Sequence, residues 1–210
     1  VTFFNDGVQY GEPYMAEYDS VVIMPEINPT KLSTMEYDFE FAGWDKLNDY
    51  VIQGETQINA TYKDNIRSYV VTLFNLATRE LISTGEFSYG TKITTKINFN
   101  GYDFDSWYRD PDCNTVFNQE EEFVDGPMML FGNIVMKGLL FNDNNEIVGY
   151  DGVEDALTNL IIPMAANGRK VSTIKEKALA KSNIKSNSIG SIFIPITVTK
   201  VEAYAFSELV

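Results

Sequence analysis

Histidine does not occur in this 210-residue sequence, and that absence removes more chemistry than any other feature. It excludes Ser-His-Asp and Cys-His activation of a nucleophile, along with every imidazole-bound zinc site. The single cysteine, Cys113, can form neither an internal disulfide nor a thiolate metal cluster, and one cysteine does not assign a redox compartment. No run approaches the roughly eighteen apolar residues of a membrane-spanning helix. Basic residues are scarce, 16 against 30 acidic for a net charge of −14, a field that repels a nucleic-acid backbone. The sequence shows no initiating Met, signal peptide or anchor, as expected of a mature product or an excised fragment.

What is present describes a folded chain. Hydrophobic residues at 44% and charged ones at 22% fit an ordinary globular protein rather than a disordered one. The length allows one large domain or two to three small ones. Charge is graded along it: residues 1–64 carry 12 acidic and 3 basic side chains, residues 65–138 carry 10 and 6, and residues 139–210 carry 8 and 7. The expected units are therefore 1–64, 65–138 and 139–210.

The run Tyr37-Asp-Phe-Glu-Phe-Ala-Gly-Trp44 and its echo Tyr102-Asp-Phe-Asp-Ser-Trp107 hold both tryptophans of the chain. Phe39 and Phe41 alternate with Asp38 and Glu40, which predicts a half-buried strand. Each tryptophan is expected at the centre of a small core. Around the first run, Val1-Thr-Phe-Phe-Asn5 reads as a strand closed by the turn pair Asp6-Gly7. Tyr14–Tyr18 reads as a second strand, and Asn28-Pro29-Thr30-Lys31 as a turn. Gln57-Ile-Asn-Ala-Thr-Tyr62 alternates as a closing strand, and Lys63-Asp-Asn65 reads as a polar joint. The same order recurs in Val70–Asn75, Phe87–Thr91, Tyr102–Trp107 and Asn133–Lys137, at offsets of 70, 71, 63 and 75. Such order is expected of a tandem repeat about seventy residues long.

Residues 139–210 change character. Asp143-Asn-Asn145 between two apolar segments reads as a hairpin turn. Val171, Ile174 and Ala178 recur as Val198, Val201 and Ala205, each 27 residues on. A period in the twenties predicts a solenoid with a strand and a short helical turn per repeat, here two repeats.

The first unit, with VTFFN, NPTK, FEFAGWD and INATY in order, resembles the Listeria–Bacteroides repeat, the B repeat of internalin-type bacterial surface proteins. The second resembles it less closely: it lacks the NPTK element, has Ser106 where the pattern has Gly, and adds acidic sequence around Glu120–Asp125. The phrases LIIP…NGRKVSTIKEKAL and IFIPITVTKVEAYAF resemble the BspA-like leucine-rich repeat of microbial surface proteins, with Leu179 where that family usually has Phe. The resemblance implies a mainly β or α+β fold. Small β-grasp-like modules, each with the aromatic-Gly-Trp strand at its centre, would precede the start of a leucine-rich solenoid. It also implies a non-enzymatic extracellular protein, on a bacterial surface or secreted, acting as spacer and adhesion or recognition module. The implied partner is a host or neighbouring-cell protein or glycan. A structural module of a phage virion or other surface appendage is the alternative, and a hydrolase domain the third reading. The ending Ala205-Phe-Ser-Glu-Leu-Val210 carries no polar cap, so residues 139–210 are expected to be the truncated start of a longer array, or to lean on a neighbour.

Candidate chemistry is sparse. Asp110-Pro-Asp-Cys-Asn114 offers oxygens to a cation, but matches no twelve-residue calcium loop and reads as a turn. Asp143-Asn-Asn-Glu146 reads as the hairpin, and Glu120-Glu-Glu122 as a solvated charge run. The pairs Asp38 with Glu40 and Asp103 with Asp105 share a strand's wet face, unlike the two carboxyls about 5–10 Å apart across a glycosidase cleft. Asn59-Ala-Thr61 has the form of a glycosylation acceptor. Tyr10, Tyr14 and Tyr108 are candidates to stack on sugars or proteins. No catalytic, cofactor-binding or metal-binding residue is assigned.

Overall fold

The computed structural model describes residues 1–152, 159–184 and 189–209. It is mainly β, with no helix among the described residues. Two compact units emerge. Unit 1 is Val1–Ser68 with Ser88–Gly90, and unit 2 is Tyr69–Phe87 with the chain from Thr91 onward.

Unit 1 is built on β1 (Thr2–Asn5), β2 (Val8–Tyr10), β3 (Tyr37–Trp44) and β4 (Gln57–Ile66), in the order β2-β1-β4-β3. Asp6 and Gly7, with φ of 50° and 79°, form the tight turn that folds β2 back on β1. The second strand is thus Val8–Tyr10, and the expected strand at Tyr14–Tyr18 is irregular. β1 runs parallel to β4 with Phe3 opposite Ile58, and β3 runs antiparallel to it from Tyr37 opposite Ile66 to Trp44 opposite Ala60. Because every aromatic of β3 takes a partner on β4, Lys63–Asn65 is strand interior rather than a joint. The first unit accordingly ends past the expected boundary at residue 64.

The core of unit 1 is small: Phe3, Val22, Ile52 and Ile58. Two irregular segments close over it, Val22 N–H donating to the Tyr50 carbonyl at 3.0 Å and Ile52 N–H to Ser20 at 2.9 Å. Trp44 is not its centre. A register shift at Gly43, where φ is 127°, re-aims the indole. It packs half-buried on the rim, against Phe3 at 4.8 Å and Phe41 at 5.5 Å between ring centroids.

In unit 2, β5 (Ser68–Asn75), β6 (Leu81–Ser88), β7 (Tyr102–Tyr108), β8 (Val116–Phe117) and β9 (Met128–Met136) form a sheet ordered β6-β5-β9-β7-β8. A parallel pair, β5 with β9, again lies beside an antiparallel aromatic strand, β7. Leu73 faces Leu130 as Phe3 faces Ile58, and Trp107 faces Gly132 as Trp44 faces Ala60. Both pairings set the closing strand at an offset of 72, which corrects the expected 75. Trp107 is fully buried among Val71, Leu73, Phe117 and Leu130, its indole N–H donating to the Thr95 carbonyl at 2.8 Å.

The chain continues through β10 (Leu139–Phe141), β11 (Ile147–Tyr150), β12 (Asn159–Ile161), β13 (Ala165–Ala166), β14 (Arg169–Lys170), β15 (Thr173–Ile174), β16 (Ser191–Phe193) and β17 (Lys200–Val201). The hairpin at Asp143 is the β10–β11 turn. Its second strand also pairs in parallel: Ile147 stands opposite Ile174, which stands opposite Val201, so rungs recur every 27 residues. β12 and β16 form a second parallel pair, Leu160 opposite Ile192. Residues 153–158 and 185–188, and Val210 at the end of the expected array, lie outside the described residues.

Nothing separates residues 138 and 139, the boundary expected between the second and third modules. Tyr102, Ile134 and Met136 of the sheet share one core with Leu139, Ile147, Leu160, Ile174 and Leu179. Polar bonds join the same two halves. The Tyr102 hydroxyl donates to Asn159 at 3.0 Å and accepts the Ile161 N–H at 2.9 Å. Buried Asn133 donates from Nδ2 to the Ala165 carbonyl at 2.7 Å. A few short rungs cannot cover their own apolar face, and here the sheet covers it.

Candidate recognition surface

The solvent side of the rungs carries a row of alternating charge. Lys175 Nζ reaches Glu202 at 2.9 Å and Glu146 at 4.0 Å, and Lys200 Nζ reaches Glu202 at 2.8 Å. Bonds from Lys200 and Lys175, with the Glu176 N–H, hold the Glu202 carboxyl down at about 2. The Glu202 bond in turn raises Lys175. Ile192, Phe193, Ile194, Ile196, Val201 and Tyr204 are all exposed, and β16 and β17 are outermost strands of their sheets. Exposed apolar side chains on outer strands are common in contact surfaces.

The other singled-out residues serve structure. Asp110 accepts the N–H groups of Asp112, Asn114 and Thr115 at 2.8–3.1 Å and the Asn114 side-chain amide at 2.9 Å. Burial pushes its carboxyl up, but these bonds outweigh it and hold it below the usual range. Its oxygens therefore face donors, and the segment is a carboxylate-centred turn. Cys113 inside that turn is buried with Leu76, Tyr108 and Met164. Burial first, and then the Asp110 and Asp105 charges, push its thiol up to about 12, far from a reactive thiolate.

Tyr108 is fully buried, so it cannot stack on a ligand; burial raises its phenol and the Asp105 charge adds to the effect. Tyr10 and Tyr14 do border a hollow in unit 1. Glu122 is not simply a member of a solvated run. It forms an ion pair with Arg109 and accepts the Asn118 N–H at 2.6 Å. Burial pushes Glu122 up, and those contacts together outweigh it and lower its carboxyl. No local pattern signals this pair, because Arg109 becomes its neighbour only through the β7–β8 turn.

The carboxylates of the first pair take different partners. Asp38 stands 3.5 Å from Arg67, and Glu40 accepts the Asn65 amide at 3.5 Å. Asp103 and Asp105 line one hollow of about 330 Å³. There Asp105 accepts from the Asn133 amide and the Asn167 N–H, each at 3.1 Å, so it pins the β13–β14 turn to the sheet. Asn59 of the glycosylation-like triplet donates its side-chain amide to Asp45 at 2.9 Å. No protein-family model and no curated protein matches this sequence.

Proposed function

We propose that this chain belongs to a non-enzymatic, extracellular protein, on a bacterial surface or secreted, and serves as spacer and recognition module. In this reading unit 1 and the first sheet of unit 2 are two copies of a Listeria–Bacteroides-type β-grasp-like module. The rungs after residue 138 are BspA-like leucine-rich repeats. The observation that carries it is register. The same parallel pair with a bulged antiparallel aromatic strand beside it occurs in both sheets, and Ile147, Ile174 and Val201 stack at one fixed interval. Repeated rungs present a row of side chains to a partner, which suits adhesion. Asp38, Glu40, Asp105, Asp110 and Glu122 are each held by structural donors, which favours binding over turnover.

Binding of the labelled full chain to a host-cell panel and a glycan array tests the proposal. Saturable binding is expected, sensitive to protease or glycosidase treatment of the target and reduced by the double change Lys175→Glu, Lys200→Glu with the fold intact. Absence of binding, together with incorporation of the chain into a virion or appendage, would replace this reading with the structural-module alternative.

A further inference from the structure

Unit 1 has a surface feature that the spacer role does not use. Between β2 and the irregular segment that follows it lies a hollow of about 430 Å³, lined by Phe3, Tyr10, Tyr14, Ile23, Met24 and Pro25, with Glu12 also on its wall. Phe3 forms its buried base, and Ile23 stands 73% exposed at its rim. Both tyrosine hydroxyls are already engaged, Tyr10 donating to the Ile27 carbonyl and Tyr14 accepting the Ile23 N–H, each at 2.9 Å. The walls are thus two aromatic faces and aliphatic groups, with one carboxylate.

The surrounding charge selects what fits. Residues 1–64 hold 12 acidic and 3 basic side chains. Of those lysines, Lys31 is paired to Asp6 at 3.0 Å and lies 4.5 Å from the Phe39 ring centroid, and Lys46 lies 5.5 Å from that of Tyr50. This unit already seats ammonium groups on aromatic faces. A sugar needs several directed hydrogen bonds, whereas this lining is mostly aromatic and aliphatic and each tyrosine hydroxyl already carries one bond. A second copy of the chain would bring the same negative field and be repelled.

We infer that this hollow binds an extended peptide segment of a partner protein carrying Lys or Arg beside an apolar residue. The aliphatic stem lies over Tyr10 and Tyr14, the cationic head meets Glu12, and the apolar neighbour packs on Ile23 and Met24. The inference extends the recognition reading by giving unit 1 its own contact. It fails separately from that reading, because the ladder variants above lie in unit 2.

The test is a titration of the isotope-labelled full chain with the peptide acetyl-Val-Lys-Val-Arg-Val-amide, followed by nuclear magnetic resonance. Acetyl-Val-Glu-Val-Glu-Val-amide is the control. Saturable shifts centred on Tyr10, Glu12, Tyr14 and Ile23 are expected, weakened about two- to threefold by Glu12→Gln, a loss typical of one exposed ion pair. Ile23→Ser should weaken binding by a similar factor, and as a change at an exposed side chain it leaves the fold intact. Salt should weaken the Lys/Arg peptide and not rescue the Glu peptide. Shifts spread over Glu36, Asp38 and Asp64 without a focus at the hollow would overturn the inference. So would equal binding of the Glu peptide, or no effect of either variant. Concentration-dependent shifts of the same residues without peptide would assign the hollow to a second copy instead.

Discussion

At Gly132 an added methyl group meets Ile97 Cδ1 at 2.4 Å and Trp107 Cζ3 at 2.7 Å, so the indole occupies the space a side chain would need. Gly132→Ala is expected to destabilise unit 2 by about 1–3 kcal/mol through overpacking. Trp107→Ala should cost about 3–5 kcal/mol through the cavity it leaves. Trp44→Ala should cost only about 1–2 kcal/mol, since a rim residue leaves a surface dent that water fills. Urea denaturation of the three variants checks the ranking, and equal costs at Trp44 and Trp107 would contradict it. Cys113 should resist iodoacetamide at pH 8 in the native chain and react at once in urea, as a buried thiol held at about 12 requires. The two tryptophans were legible as a related pair because the alternation around them is local. Their unequal depth was not legible, since it depends on Ile93 and Val124 arriving from loops and on Phe117 of β8 pairing beside Trp107.

Among the elements, β9 lies between β5 and β7 and holds Leu130, Ile134 and Met136 in the interior, whereas β16 is exposed at all three of its residues. Hydrogen exchange should be slowest at Val71–Asn75 and Leu130–Ile134 and fastest at Ser191–Phe193 and Lys200–Val201. Faster exchange at β9 than at β16 would contradict this order. The charge row on the rungs adds a pH dependence. Glu202 is held well below its ordinary value of 4.5, at about 2, so its contribution is present above about pH 4.5 and fades as pH falls towards 2. Glu202→Gln should therefore flatten the loss of stability across that window, modestly and less at high salt, because the site is open to solvent. A variant that loses stability as steeply as the parent would deny Glu202 this role. The 27-residue interval could be read from apolar spacing alone, but the rung at Ile147 could not, because its segment reads first as half of a hairpin. The register of β9 was equally hidden. Met128–Met136 is almost continuously apolar, so several alignments look alike until Gly132 beneath Trp107 selects one.

For the whole molecule, the sequence divided by charge into three parts, while the structure divides by core into two. Charge reports what each segment shows to water. Shared burial of Tyr102, Ile134 and Met136 with Leu160 and Ile174 depends on contacts that no local pattern contains. Unit 1 folds on its own small core, while the second sheet and the rungs fold as one body. Differential scanning calorimetry of the parent and Trp107→Ala tests this most directly. Two transitions are expected, with the variant lowering only the larger one and leaving unit 1 in place. One transition for the whole chain would contradict the account, and so would a third transition belonging to the rungs after residue 138.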